Sequence, residues 1–180
     1  MKLDAEQTSL VFIDVQGRLH ELMHEKEQLD KNLERLLRVA ELLKLPQLCT
    51  EQIPEKLGAT NEPFRSLLKG SPTLAKTSFS CWGEPSFQEA LRKTERKQVV
   101  LMGIETHVCV YQTAIDLMEA DFKVCVVADA VSSRSAENKR LALQAMRDAG
   151  ATILPTESIL FALLRDAKSP NFKPLLQWIK

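Results

Sequence analysis

Two short runs set the fold class. Residues 98–103 (QVVLMG) and 123–129 (KVCVVAD) are apolar almost without interruption. A strand with one wet face alternates apolar and polar side chains, whereas a strand covered on both faces does not alternate. The two runs therefore predict parallel strands buried between layers of helices. Four further runs read as strands: 9–14 (SLVFID), 46–50 (PQLCT), 73–76 (TLAK) and 151–156 (ATILPT).

Helical patterns lie between these runs. From 25 to 45, Leu29, Leu33, Leu36, Ala40 and Leu43 form one apolar stripe, with Lys, Glu and Arg on the opposite face. Residues 84–94, 108–121 and 136–149 read as helices, the last closed by Gly150 as a C-terminal cap. Residues 155–180 predict two short helices. Strand and helix alternate as in repeated βαβ units. The expected fold is a three-layer α/β/α sandwich on a mostly parallel, Rossmann-like six-stranded sheet. Residues 1–180 are expected to form a single domain, a length that can bury a core without staples.

Charge narrows the choice of partners. Lys plus Arg number 24 and Asp plus Glu number 24, so no cationic excess exists to neutralise phosphates. Nucleic acid is not the expected partner. No apolar run reaches the ~20 residues that span a bilayer, and the first residues, MKLDAEQ, carry no apolar signal core. No membrane partner is expected. The four cysteines are then read as reduced thiols of a cytoplasmic protein. The six glycines form no phosphate cradle, and no cofactor is expected.

In open parallel sheets, ligands bind beyond the carboxyl ends of the strands. Three reactive side chains fall there: Asp14 after the first run, Lys76 at the end of the third, and Cys109 just after the fourth. Cys109 is placed in a first helical turn, where free N–H groups and the helix dipole favour thiolate and can stabilise an oxyanion. A thiolate nucleophile needs a base and a cationic neighbour. An Asp and a Lys at buried strand ends would also compensate each other's charge. The bland alternatives are a packed helix cysteine and two strand-end residues reaching solvent. Cys125, in VCVV, and Cys49 read as core, and Cys81, in a polar loop, is the second candidate thiol.

FIDVQ around Asp14, AKTSFS around Lys76 and GIETHVCV around Cys109 resemble the isochorismatase-like cysteine hydrolases. TEQIPEKLGAT, GIETHVCVYQTAIDLM and VVADAVSSRS resemble the subgroup of isochorismatase domain-containing proteins. The resemblance implies hydrolysis of a small carbonyl compound, an amide, through a Cys–Asp–Lys triad and a thioester. Asp14 would be the general base, Lys76 its partner and Cys109 the nucleophile. The backbone N–H groups of Glu105 and Cys109 would form the oxyanion hole, and a cis peptide is implied at Ile104–Glu105. The nicotinamidase branch carries an Asp and two His as a metal motif after strand two. This chain has TEQIP there and no His between His24 and His107, so no catalytic metal is expected. Candidate contacts to the small-molecule substrate are Gln16, Gln52, Phe79, Trp82 and His107. The resemblance also implies a homo-oligomer.

Other readings compete. His20-Glu21-Leu22-Met23-His24 fits the HExxH zinc pattern, which needs one helix face for both histidines. The alternative is a pair of solvated histidines on a loop or first turn. Asp129 is expected to cap the turn that follows it. A scaffold or regulatory binding protein that keeps a hydrolase fold is the rival to an enzyme.

Overall fold

The computed structural model describes residues 1–179. In chain order the elements are β1 (Thr8–Ile13), α1 (Gly17–Glu21), α2 (Lys26–Leu42), β2 (Gln47–Gln52), α3 (Pro54–Leu57), α4 (Phe64–Leu67), β3 (Thr73–Lys76), α5 (Pro85–Lys93) and β4 (Gln98–Ile104). A single π-helical turn (Thr106–Val110) then runs into α6 (Tyr111–Glu119). β5 (Lys123–Ser132), α7 (Ala136–Asp148), β6 (Thr152–Leu154), α8 (Thr156–Leu164) and α9 (Phe172–Leu176) complete the chain.

The six strands pair in the order β3-β2-β1-β4-β5-β6, all parallel. Alternate residues of each strand face opposite layers. Leu10 and Phe12 join Leu29, Leu33, Leu36, Ile159 and Leu163 from α2 and α8. Val11 and Ile13 join Phe87, Leu91, Ala114, Leu117 and Met146 from α5, α6 and α7. Every residue of β1 and β4 is buried, which is why the sequence shows no alternation there.

The sheet order reverses between β1 and β4. The chain leaves β1 toward β2 on one side and returns from β3 to β4 on the other. The region beyond their carboxyl ends at such a reversal is the usual ligand position in open parallel sheets. The two strands approach so closely that a β-carbon on Gly103 would collide with the Ile13 backbone, and Gly103 also sits at φ +138°. Only glycine fits both conditions.

Some boundaries differ from the expectation. β5 runs on past Asp129 to Ser132, because its pairing jumps from Leu101–Val126 to Gly103–Val131. The extra residues form a bulge that a period count reads as a strand end. Asp129 lies in that irregular stretch and does not cap the local turn. Its Oδ1 instead accepts the N–H and hydroxyl of Thr156, at 2.7 and 2.8 Å, at the start of α8. The C-terminal segment packs on its own domain, with Leu175 buried and the Arg38 guanidinium 4.6 Å over the Trp178 ring. Among the described residues, no helix is long and apolar enough to cross a membrane.

Candidate active site

Asp14, Ile53 and Glu105 follow β1, β2 and β4 directly, and all three are left-handed, with φ of 55°, 38° and 56°. Such a backbone is uncommon for non-glycine residues and most strained for a β-branched one. Three neighbouring strands therefore each turn through an unfavourable residue at their carboxyl ends. Each such residue costs about 1–3 kcal/mol, and the three cluster where the sequence places the reactive groups.

The Lys76 ammonium lies 2.7 Å from Asp14 Oδ2, and both residues are 3% exposed. Oδ2 meets it as an ion pair without a well-aligned hydrogen bond. Lys76 Nζ also donates to Gln52 Oε1 at 2.6 Å and to the carbonyls of Phe79 and Ser78 at 3.0 and 3.2 Å. The other carboxylate oxygen, Oδ1, accepts the Thr50 hydroxyl at 2.8 Å. Burial, the largest influence, pulls the Lys76 ammonium down, but the Asp14 carboxylate together with Cys81 and Cys109 outweighs it and holds the group above its ordinary value.

Cys109 is 6% exposed, inside the π-helical turn. Asp14 lies close enough to oppose its ionisation. Burial first, then the Asp14 charge and hydrogen bonding, push the thiol well above its ordinary value, and Lys76 offsets this only in part. This direction runs against the sequence-based expectation of a resting thiolate. The helix end does not compensate for desolvation and a carboxylate at short range. Cys81 is fully buried behind the same group, its sulfur 3.6 Å from Thr50 Oγ1, with its thiol pushed up to about 11 by burial and then by Asp14.

The turn that carries Cys109 is organised by Glu105. Its carbonyl accepts N–H bonds from Val108 at 2.9 Å and from Val110 at 3.4 Å. The second is the i→i−5 bond of a π turn, a feature frequent at functional sites. The Ile104–Glu105 peptide is not cis. Among the described residues the one cis peptide is Glu62–Pro63, and the sharp exit from β4 is made by the left-handed Glu105.

The Isochorismatase domain family model matches residues 8–158, which is most of the chain and includes Asp14, Lys76 and Cys109. This chain belongs to the isochorismatase family. Isochorismatase domain-containing protein 2 of Danio rerio is 37% identical over 97% of this chain and 87% of its own length. A secreted isochorismatase effector, Isc1, of Phytophthora sojae is 36% identical over 96% of this chain and 85% of its own. The family thus includes a protein described as secreted. Among solved structures, MAR1 ribonuclease of Caenorhabditis elegans superposes with a TM-score of 0.93 at 33% identity, covering 99% of this chain and 92% of that one. The Escherichia coli YcaC gene product, an octameric hydrolase of unknown specificity, superposes with a TM-score of 0.90 at 23% identity, covering 98% and 95% of the two chains. It shares the fold.

In this isochorismatase-family chain the five expected substrate contacts have different surroundings. Gln16 is fully buried, and its amide staples backbone: Oε1 accepts Gln52 N at 2.7 Å and Nε2 donates to Gly58 O at 2.5 Å. The Gln52 amide is spent on Lys76 and on the Thr77 carbonyl, 2.8 Å away. Phe79 is 54% exposed. Trp82 packs edge-on against Phe122 under Arg92. His107 meets Ser133 Oγ at 3.0 Å and lines a depression of about 240 Å³ with Tyr111 and Leu141. Thr50, which orients Asp14, was missed. A threonine inside an apolar strand carries no sequence signal until its neighbour across the sheet is known.

The HExxH pattern does not form a zinc helix. α1 ends at Glu21, before His24. His20 is not solvated: it is buried, with Nε2 at 2.6 Å from Asp30 Oδ1 and Nδ1 at 3.1 Å from Asn61 Nδ2. Both ring nitrogens are occupied by protein partners, which leaves none free for a metal.

Proposed function

We propose that this chain is a cysteine-dependent hydrolase of a small carbonyl compound, an amide, using Cys109, Asp14 and Lys76 through a thioester. One observation carries the reading. A single buried carboxylate is held against an ammonium at 2.7 Å, and its charge acts on the thiol of the π turn. Nothing in packing alone requires three ionisable groups together in a dry site, and such clusters concentrate at functional sites.

In this reading the resting thiol is neutral. Asp14 takes its proton as sulfur attacks the carbonyl, so that negative charge moves from the carboxylate to the carbonyl oxygen within one step. The N–H groups of Glu105 and Cys109 receive the oxyanion. The C–N bond then breaks, and the amine leaves with the proton from Asp14. Asp14 next deprotonates a water, which adds to the thioester. The C–S bond breaks, the acid departs, and sulfur regains a proton. Lys76 stands against Asp14 as its counter-charge through each half-reaction. Gln52 fixes the ammonium, and Gln16 fixes Gln52. Phe79, whose carbonyl holds Lys76 and whose side chain is half exposed, is the foremost candidate to meet substrate, with Trp82 and His107 as the other candidates. The assembly is a homo-oligomer in the cytoplasm.

A scaffold reading draws on the low exposure of Cys109, which is 6%. The test is a panel of small amides and esters, with an RNA oligonucleotide as a separate arm because one relative is named a ribonuclease. The wild type and Cys109→Ala are compared for turnover, and intact-protein mass spectrometry reads acylation. Amide turnover with an acyl adduct confined to the wild type is the expected result. Equal turnover in Cys109→Ala rejects covalent catalysis, and the absence of both adduct and turnover favours the scaffold.

A further inference from the structure

Glu105 is the single residue between β4 and the nucleophile's turn. Its side chain is 11% exposed, so its carboxylate needs a partner. Arg134, from the segment after β5, supplies it as a fork: Nε donates to Oε1 at 3.1 Å and Nη2 to Oε2 at 3.3 Å. His107 Nε2 stands 3.8 Å from the same carboxylate. The carbonyl of this same residue gathers the N–H groups of Val108 and Val110, on either side of Cys109. One residue thus links an exposed arginine to the geometry of the buried thiol.

We propose that Arg134 is a positioning residue. Its bidentate grip holds Glu105 in the left-handed conformation and so sets the turn that carries Cys109 and aims the N–H groups around it. Two parallel bonds fix orientation as well as charge, which a lysine's single point charge does not do. Solvent screens an ordinary exposed ion pair to little net worth. The distinction here is that the carboxylate partner is buried and its own backbone starts the turn. The catalytic consequence rests on the hydrolase reading above, whereas the structural consequence does not.

The test compares wild type, Arg134→Met, Arg134→Lys and, as control, Arg140→Met, which removes an exposed pair with Glu137. Amide hydrogen exchange at Val108 and Val110 is expected to speed up roughly tenfold or more in Arg134→Met, to recover in part in Arg134→Lys and to stay unchanged in the control. On whichever amide substrate the wild type turns over, kcat should fall roughly tenfold in Arg134→Met with KM nearly constant. Unchanged exchange at both amides overturns the proposal. So does a rise in KM at constant kcat, which would make Arg134 a substrate contact. If the wild type hydrolyses nothing, the hydrolase reading fails, and the exchange measurement still decides the positioning role by itself.

Discussion

Lys76 and Asp14 form a 2.7 Å ion pair across an intervening strand. Lys76 ends β3 and Asp14 follows β1, and β2 runs between them. That middle strand supplies one side chain to each partner: Thr50 to Asp14 and Gln52 to Lys76. The pair is therefore held from within the sheet, and the loop after β3 adds the Ser78 and Phe79 carbonyls to the hold on Lys76.

Removing Lys76 should reveal how much the pair carries. Lys76→Met leaves a buried carboxylate without its counter-charge, a change that typically destabilises by about 3–5 kcal/mol. The double variant Asp14→Asn/Lys76→Met removes both charges and should recover most of that loss. Urea unfolding of the four proteins in the cycle measures it. A single-variant loss below ~1 kcal/mol would show that the pair is screened as a surface pair is.

Asp14→Asn should separate reactivity from catalysis. Burial first, and the Asp14 charge next, keep the Cys109 proton on, while Lys76 pulls the other way. In the wild type, iodoacetamide labelling of Cys109 should be slow at pH 7 and climb through the alkaline range. In Asp14→Asn the nearest remaining charge is the ammonium, so labelling at pH 7 should become faster, although turnover falls by at least ~10³-fold. Peptide mapping by mass spectrometry gives both profiles. Wild-type labelling that has already levelled off by pH 7 would mean a resting thiolate and would reverse the assignment of the proton.

The sheet and the meeting of Asp14 with Lys76 were legible because each left a local mark. Near-unbroken apolarity announced β4 and β5, a shorter apolar run announced β1, and a carboxylate, an ammonium and a thiol just past strand ends marked the candidate site. The bulge in β5 left no such mark, since the jump from Val126 to Val131 depends on the partner strand. The upward push on the Cys109 thiol was hidden for a similar reason. Helix-end effects can be read locally, but the Asp14 carboxylate arrives from 95 positions away in the sequence. Gln16 and Gln52 have the polarity of substrate contacts, and only the coordinates reveal that backbone and Lys76 consume their amides.

Gly103 should be close to irreplaceable. Gly103→Ala forces a β-carbon into the Ile13 backbone at the switch point and demands φ +138° of an alanine. Both partners are central strands that cannot move apart without breaking a ladder. The expected outcome is insoluble protein or a loss of several kcal/mol. Gly150→Ala is the matched control, because Gly150 has φ +110° with nothing within 4 Å of a new β-carbon. It should lose only the conformational part, about 1–2 kcal/mol. Thermal melting of both variants decides the matter. Equal losses would place the effect in backbone conformation and remove the steric argument.

Alkali should weaken the fold through its buried thiols. Burial pushes Cys49 and Cys125 up to about 12, and burial followed by Asp14 pushes Cys81 to about 11. A group whose folded pKa is raised holds its proton more tightly in the native state. Its stabilising contribution is whole below the unfolded thiol value near 8.5 and drains away as pH rises toward the folded value. Between about pH 9 and 11, each such thiol should lower unfolding free energy by about 1.4 kcal/mol per pH unit. Cys125 sits mid-strand, away from the reactive cluster, so Cys125→Ala isolates one share. Its unfolding free energy should start lower at pH 7, from the smaller side chain, and then fall with pH about one proton less steeply than the wild type. Urea titrations at pH 7, 9, 10 and 11 under reducing conditions measure both slopes. Parallel curves for the two proteins would mean that Cys125 ionises in the folded state as readily as in the unfolded chain, and the buried-thiol account of alkaline unfolding would fail.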